Sequence, residues 1–345
     1  MSSTMVQTLV HSLRGAMLLM LICFSAFAQS SQDLIKEGIA CFDKGQYEQA
    51  INLYQQALAL EPTSSLANYE ISMTYQAIKD HKNALKYSEQ ALKLDANQMP
   101  AYLVKGSALD DLGRPKEAVM VFEKCLQKFG SHYLVHYNLA LTLLRVADQQ
   151  GAEKNLLKAI ELQPSHASSH LMLANSMGSK GAKTQSMLGY YYFLLLEPAT
   201  ERSKEAYRSL LSVMKAGVKI DEQNPKHITI TVDSKGGATD MMMALMQAAK
   251  TTEEVKEKNK NKTAGQLFIE DTEMFFEFST SQKVKKKDRN LWNQLYAPLF
   301  KSLAQTDHMY AFCYYITQAS SEESAKWLKD NPGKVDQFSL WLKNQ

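Results

Sequence analysis

SQDLIKEGIACFDKGQYEQAINLYQQALALEPTS, residues 31–64, decides the fold. Its apolar residues recur at three and four, as in Leu53, Tyr54, Ala57, Leu58 and Leu60, which is helical spacing. Gly45 marks a turn between two such stretches, and Pro62 ends the second, because proline lacks an amide donor and clashes with the preceding turn. The unit is therefore a pair of amphipathic helices. It recurs: Ala50, Ala84, Ala118 and Ala152 stand 34 residues apart. The same frame places large residues at Tyr54, Phe122, Leu156 and Tyr190, small ones at Ala57, Ala91, Cys125 and Ala159, and prolines at Pro62, Pro164 and Pro198. Gly38, Gly106, Ala140 and Ala174 share an early small site, while Gly45, Gly113 and Gly181 fall at the turn. Small residues let two helices approach closely, and the large residue one turn later fills the neighbouring groove. One hairpin cannot bury its apolar face alone, so the units must stack.

This pattern resembles the tetratricopeptide repeat family, and Gly38, Gly45, Tyr47, Ala50, Tyr54, Ala57 and Pro62 match it best. The resemblance covers residues 31–198 as five repeats, at about 31–64, 65–98, 99–132, 133–166 and 167–200. It implies a mainly all-α protein, an α-solenoid of about five helical hairpins with a concave face. Repeat two departs from the pattern, with Lys79-Asp80-His81 at the turn and Ala96 in place of the proline. Repeat five departs at both alanine sites, which hold Ser186 and Phe193. A further amphipathic helix within 199–219, with Ala206, Leu210, Leu211 and Met214 on one face, is expected to cap the array.

In that family, ligands usually lie along the concave face made by the first helix of each repeat. Register then gives Ile35, Ile39 and Phe42; Tyr69, Met73 and Gln76; Leu103, Ser107 and Asp110; and Tyr137, Asn138, Leu141 and Leu144. Relatives that clamp a C-terminal carboxylate use lysine, asparagine and arginine where Ile35, Ile39, Glu70 and Val104 stand here. A carboxylate clamp is not expected. The face is apolar, which fits an aliphatic or aromatic segment of a protein partner, or the chain's own C-terminal part. Self-association is left open.

Residues 1–28 read as a leader. Arg14 precedes the run Ala16–Phe27, which holds no charge, and Ala26-Phe27-Ala28 is a small-x-small cleavage pattern. About twelve apolar residues fall short of the roughly twenty that cross a bilayer, so a signal peptide cut after Ala28 and an exported, periplasmic or secreted chain are expected. No stable membrane span follows in the mature chain. Three thiols remain, Cys41, Cys125 and Cys313, and their odd number and wide spacing favour unpaired cysteines.

Past Lys219 the repeat period stops. His227–Val232 alternates as a strand with no obvious hairpin partner, residues 239–256 with Met241, Met242, Met243 and Met246 read as a helix, and the polar stretch 250–263 reads as a mobile loop. Residues 263–345 return to helical spacing with aromatic residues, including Trp292, Trp327 and Trp341, so 220–345 is expected to form a mostly helical domain. Ser320 with Glu323 reads as a capping box.

The chain has 45% apolar and 22% charged residues, and 39 Lys and Arg oppose 36 Asp and Glu. This near balance excludes a strongly basic nucleic-acid binder. Residues 29–198 hold 16 basic and 17 acidic side chains and residues 199–345 hold 22 and 19, so the C-terminal part is the mildly basic one. Lys283, Lys285, Lys286, Lys287 and Arg289 lack interleaved aromatics and read as a solvated run.

No glycine-rich phosphate loop, Gly-x-Ser-x-Gly elbow, Cys-x-x-Cys pair or His-Glu-x-x-His stretch occurs. No cofactor and no catalytic set is expected. His132 with His136 and His166 with His170 are i, i+4 pairs repeated at the 34-residue period, and one such pair could bind a metal. Equivalent places on stacked helices lie about 8–10 Å apart, too far for four-ligand closure, so no metal site is expected. Asp110-Asp111 and Glu270-Asp271 are adjacent and diverge on a helix. Two classes follow: a non-enzymatic interaction or scaffold protein, or an enzyme with its site in 220–345 and the repeats as substrate platform. His308, Cys313 and an acidic residue converging in an open cleft would mark the second.

Overall fold

The computed structural model describes residues 29–221, 227–232, 237–280 and 290–345. The expected leader and the basic run Lys283–Arg289 lie outside these residues. Packing divides the chain after Gly130 into two compact units.

Residues 29–130 form three helical hairpins: α1 (Ser31–Asp43) with α2 (Tyr47–Leu60), α3 (Ser65–Ala77) with α4 (His81–Leu94), and α5 (Met99–Asp111) with α6 (Pro115–Phe129). Each hairpin also packs on the next, α2 on α3 and α4 on α5. The 34-residue frame recurs in the packing. A Cβ on Gly38 would stand 2.4 Å from Tyr54 Cε1, and one on Gly106 2.4 Å from Phe122 Cζ. Glycine is needed wherever a ring fills the large site. Sixteen residues also separate Ser72 from Ser88 and Ala140 from Leu156, all buried, so the small site widens as its partner shrinks.

Residues 131–345 begin with two more hairpins, α7 (Tyr133–Arg145) with α8 (Gln149–Leu162) and α9 (Ala167–Ser179) with α10 (Lys183–Leu196). α11 (Glu201–Lys215) covers α10, as a capping helix should, and buries Ala206, Leu210 and Met214. Next come β1 (Val218–Ile220), β2 (Ile228–Ile230), α12 (Ala238–Ala249), α13 (Glu253–Asn259) and α14 (Ala264–Thr280). A π-helical turn at Trp292–Tyr296 leads into α15 (Ala297–Ala304), then α16 (Met309–Thr317), α17 (Glu322–Asp330) and α18 (Pro332–Lys343).

In all five hairpins the turn residue is left-handed. Glycine serves at Gly45, Gly113 and Gly181 (φ 73°, 75° and 76°), but Lys79 and Ala147 adopt the same geometry (φ 63° and 62°). A side chain there costs about 1 kcal/mol. At those two places the next residue is an aspartate that caps the second helix: Asp80 Oδ1 accepts from Asn83 N–H at 3.1 Å, and Asp148 Oδ1 from Gly151 N–H at 2.9 Å. Second helices that follow a glycine turn have no side-chain cap. A cap contributes about 1 kcal/mol, which offsets the strained turn.

The fifth hairpin is different inside. Here Gly189, not Tyr190, faces the small site, its Cβ position 2.9 Å from Ala174 Cβ. Tyr190 instead donates to Asn175 Oδ1 at 2.6 Å. Nine residues of α10 are buried, and a helix apolar on every side must be covered on every side. The aromatic segment after residue 263 provides that cover. Tyr191, fully buried, lies among Phe268, Phe275, Phe276, Phe300 and Phe312, and its hydroxyl pairs with Thr272 Oγ1 at 2.9 Å. The repeat boundary at residue 198 is thus not a boundary in packing, since α10 and α11 share one core with α12, α14, α15 and α16.

Three local expectations are corrected. The strand around Ile228–Ile230 has a partner, Val218–Ile220, in antiparallel register with Val218 opposite Ile230; three residues were too short a run to read as a strand. Within 250–263, α13 is a helix that buries no residue. Thr252 caps it, and Glu253–Lys256 and Glu257–Lys260 pair along it, so local charge order replaces apolar packing. Finally, the cap of α17 is Ser321, which accepts from Ser324 N–H at 3.2 Å. Glu323 is used elsewhere, accepting from Thr263 Oγ1, Gly265 N–H and the Tyr314 hydroxyl. Burial raises its carboxyl, but these three bonds outweigh burial and hold it below the ordinary value.

Candidate partner-binding groove

The first helices carry the candidate face, and each unit presents its own. In residues 29–130, Ile35 is core and not surface, only 3% exposed beside Leu34, Tyr54 and Ile71. Its register position points it inward because α1, the first helix, packs directly on α2 and α3. Ile39, Phe42, Tyr69, Met73 and Leu103 are half-buried. Ile39 and Phe42 rest on the first hairpin's core, and Tyr69 and Met73 on Val104 and Ala108. Each thus keeps one side toward its neighbours and one toward solvent. Leu66, 45% exposed in the first turn of α3, shares the face of Tyr69, Glu70 and Met73 by its spacing of three, four and seven. The register transfer missed it, although the same spacing would have found it.

Polar groups edge this face. Gln76 Nε2 donates to Asp111 Oδ2 at 2.8 Å, and His81 Nδ1 lies 3.4 Å from the same oxygen. Ser107 is half-buried and Asp110 buried. Burial, then the charge of Asp43, raises the Glu70 carboxyl above its ordinary value.

In residues 131–345 the face is more occupied. The Tyr137 ring meets His166 edge-on at 4.9 Å. Asn138 Nδ2 donates to Leu134 O at 2.8 Å, which ties it to its own helix. Leu141 is half-buried, and Leu144 packs on the cluster of Ala140, Leu156 and Leu173, which Leu291, Trp292 and Leu295 also join. The C-terminal segment therefore touches the fourth and fifth hairpins. A cleft of about 890 Å³ lies where it does so, lined by His136, by Glu153, Lys154, Lys158 and Glu161 of α8, and by Asn290, Leu291 and Gln294.

The four histidines serve structure. His132 Nδ1 accepts from Leu134 N–H at 3.3 Å, His136 Nδ1 meets Asn155 Oδ1 at 2.8 Å, and His166 Nδ1 meets Ser169 Oγ at 2.7 Å. His170 is fully buried between Tyr296 and the Pro164 carbonyl. Among the described residues no group of three or more His, Cys, Asp or Glu is placed to hold a metal, and no helix is long and apolar enough to cross a membrane. Cys125 and Cys313 are buried free thiols and Cys41 a half-buried one. Burial pushes Cys125 up to about 11 and Cys313 further. Cys313 stands inside the aromatic core while His308 lies against Phe338 and Trp341, so the two do not share an open cleft.

Left-handed turns at a 34-residue period, glycine under ring, and stacked hairpins are joined by a match to family models: "TPR repeat" over residues 38–78, and "Tetratricopeptide repeat" over 66–98, 100–127 and 133–166. Residues 38–166 carry tetratricopeptide repeats. The fifth hairpin lies outside these matches, in keeping with its rotated α10. The chain is similar to small glutamine-rich tetratricopeptide repeat-containing protein 2 of Saccharomyces cerevisiae, 25% identical over 133 residues, 39% of this chain and 36% of that protein. It is also similar to the heat-shock protein cognate co-chaperone sgt12 of Aspergillus fumigatus, 30% identical over 101 residues, 29% of this chain and 30% of that protein. The chain thus spans about a third of these relatives' length. Among solved structures, TTC0263 from Thermus thermophilus is 18% identical with TM-score 0.47, covering 54% of this chain and 99% of its own. The pilF protein of Pseudomonas aeruginosa is 18% identical with TM-score 0.48, covering 73% and 97%.

Proposed function

We propose that this is a non-enzymatic interaction or scaffold protein of an extracytoplasmic compartment, which holds an apolar segment of a partner protein on the first-helix faces of its tetratricopeptide repeats. The observation that carries the reading is the row of half-buried apolar side chains Ile39, Phe42, Tyr69, Met73 and Leu103, with Leu66 exposed beside them. Half-buried apolar side chains on packed helices are held in place before any partner arrives, which lowers the ordering cost of binding. The co-chaperone name of the Aspergillus relative fits an interaction role, while the absence of lysine and arginine at Ile35, Ile39, Glu70 and Val104 argues against a carboxylate-tail partner. Export rests on the apolar run Ala16–Phe27 and the Ala26-Phe27-Ala28 site.

Crosslinking in cells followed by purification tests both halves. Met73→Asp, and Tyr137→Ala combined with Leu141→Asp, should each remove partners that the unchanged chain retains, with thermal melts showing that the variants fold. An unchanged set of partners would refute the groove. The same preparation should have Gln29 as its first residue by mass; an intact Met1 in the exported fraction would refute the leader.

A further inference from the structure

On the face of α3 that carries Leu66, Tyr69 and Met73, the next position is an acid, Glu70, half-buried among apolar neighbours. Asp43 ends α1 on the same side, close enough for its charge to act on Glu70. Among the described residues neither carboxylate is in an ion pair. A second observation lies beneath. Tyr54 is fully buried and its hydroxyl has no hydrogen-bond partner, although Glu70, Asp43 and Cys41 are near enough to act on it. A buried donor left unpaired beside two unpaired carboxylates describes a polar site lacking its third member. Two neighbouring carboxylates without an ion-pair partner repel each other, and a positive group between them would relieve both.

We propose that the first-helix face of residues 29–130 binds an apolar partner segment carrying a lysine or arginine, whose cation seats between Asp43 and Glu70 while its apolar neighbours lie on Leu66, Tyr69 and Met73. This rests on the groove reading above and names the chemistry of its partner. The cation draws the two carboxylates together, gives the Tyr54 hydroxyl an ionised acceptor, and fixes the register in which the apolar side chains land. Apolar contact alone would leave that register free.

The test uses the chain from Gln29 to Gln345, immobilised and exposed to a display library of random twelve-residue peptides. Selected peptides should combine Leu, Ile or Phe with Lys or Arg, the basic residues enriched by about fivefold over the library, an enrichment expected of one partly desolvated ion pair. Glu70→Gln should lose that enrichment while apolar residues stay selected, and Glu70→Lys should select Asp and Glu instead. Selection of apolar peptides without basic residues, abolished by Met73→Asp, would overturn the cation and leave the groove standing. Failure to select any peptide would overturn the proposal, and the crosslinking of Met73→Asp would then decide the groove separately.

Discussion

His170 Nδ1, in the first helix of the fifth hairpin, lies 2.7 Å from the hydroxyl of Tyr296, 126 residues further along the chain. Its Nε2 lies 2.8 Å from the Pro164 carbonyl, which can only accept. Nε2 therefore carries the proton, and the Nδ1 lone pair accepts from Tyr296 O–H. The ring stacks on Tyr192 at 4.3 Å. One neutral imidazole thus ties a repeat to the aromatic core behind it.

Stability should fall with acid because of this residue. Burial depresses His170 to about 4, the bond to Pro164 opposing and the charge of His166 adding. In the unfolded chain its pKa is about 6.5. The unfolded state therefore takes up the proton first. The stabilisation is complete above about pH 6.5 and is lost as pH falls toward 4, at about 1.4 kcal/mol per pH unit. Urea unfolding of the intact chain should lose about 1.5 kcal/mol more between pH 6.5 and 5 than His170→Gln does. Parallel pH profiles for the two would show that His170 is protonated in the folded state.

The strained turns give an opposite kind of prediction. Lys79→Gly and Ala147→Gly should each stabilise by about 0.5–1 kcal/mol, since glycine takes φ near +60° without the side-chain clash. Asp80→Ala should cost about 1 kcal/mol through loss of the cap. Gly45→Ala, where no cap follows, should cost as much as Lys79→Gly gains. Thermal or urea melts measure all four, and a destabilised Lys79→Gly would mean that the turn relaxes differently from its φ.

These turns also show how far the repeats were legible. The period, the small and large sites and the helix ends could be read because each reports a local packing need that recurs every 34 residues. The left-handed turn at Lys79 was legible only as a gap, because its compensation lies in the next residue, Asp80. Glu323 was misread for a related reason: its pattern fits a local cap, whereas its partners Thr263 and Gly265 are about sixty residues away. The merging of α10 with the C-terminal core was signalled by the apolar run Tyr190–Leu196, but which segment covers it is a matter of long-range pairing that periodicity does not carry. On the candidate face, register located the apolar row and misplaced Ile35, whose helix lies directly on two others.

Glycine under ring is the packing rule most open to a quantitative check. Gly106→Ala adds a methyl that would stand 2.4 Å from Phe122 Cζ and 2.5 Å from its Cε1. Alanine improves the helix by about 0.5–1 kcal/mol, while forcing a methyl into a packed core costs about 1–3 kcal/mol. The clash should win, leaving the variant less stable than the unchanged chain. Phe122→Leu alone empties part of the same site and should also destabilise, by about 1 kcal/mol or more. Together the two recreate the Ala140 and Leu156 pairing of the fourth hairpin, so the double variant should be more stable than the two losses added, by at least about 0.5 kcal/mol. Gly333→Ala provides the control: nothing lies within 4 Å of its Cβ position in α18, so only the helical gain remains and stability should rise. Urea melts of the four variants complete the cycle. Simple additivity at Gly106 and Phe122 would mean that the ring moves aside freely, and that the small site is set by something other than the residue facing it.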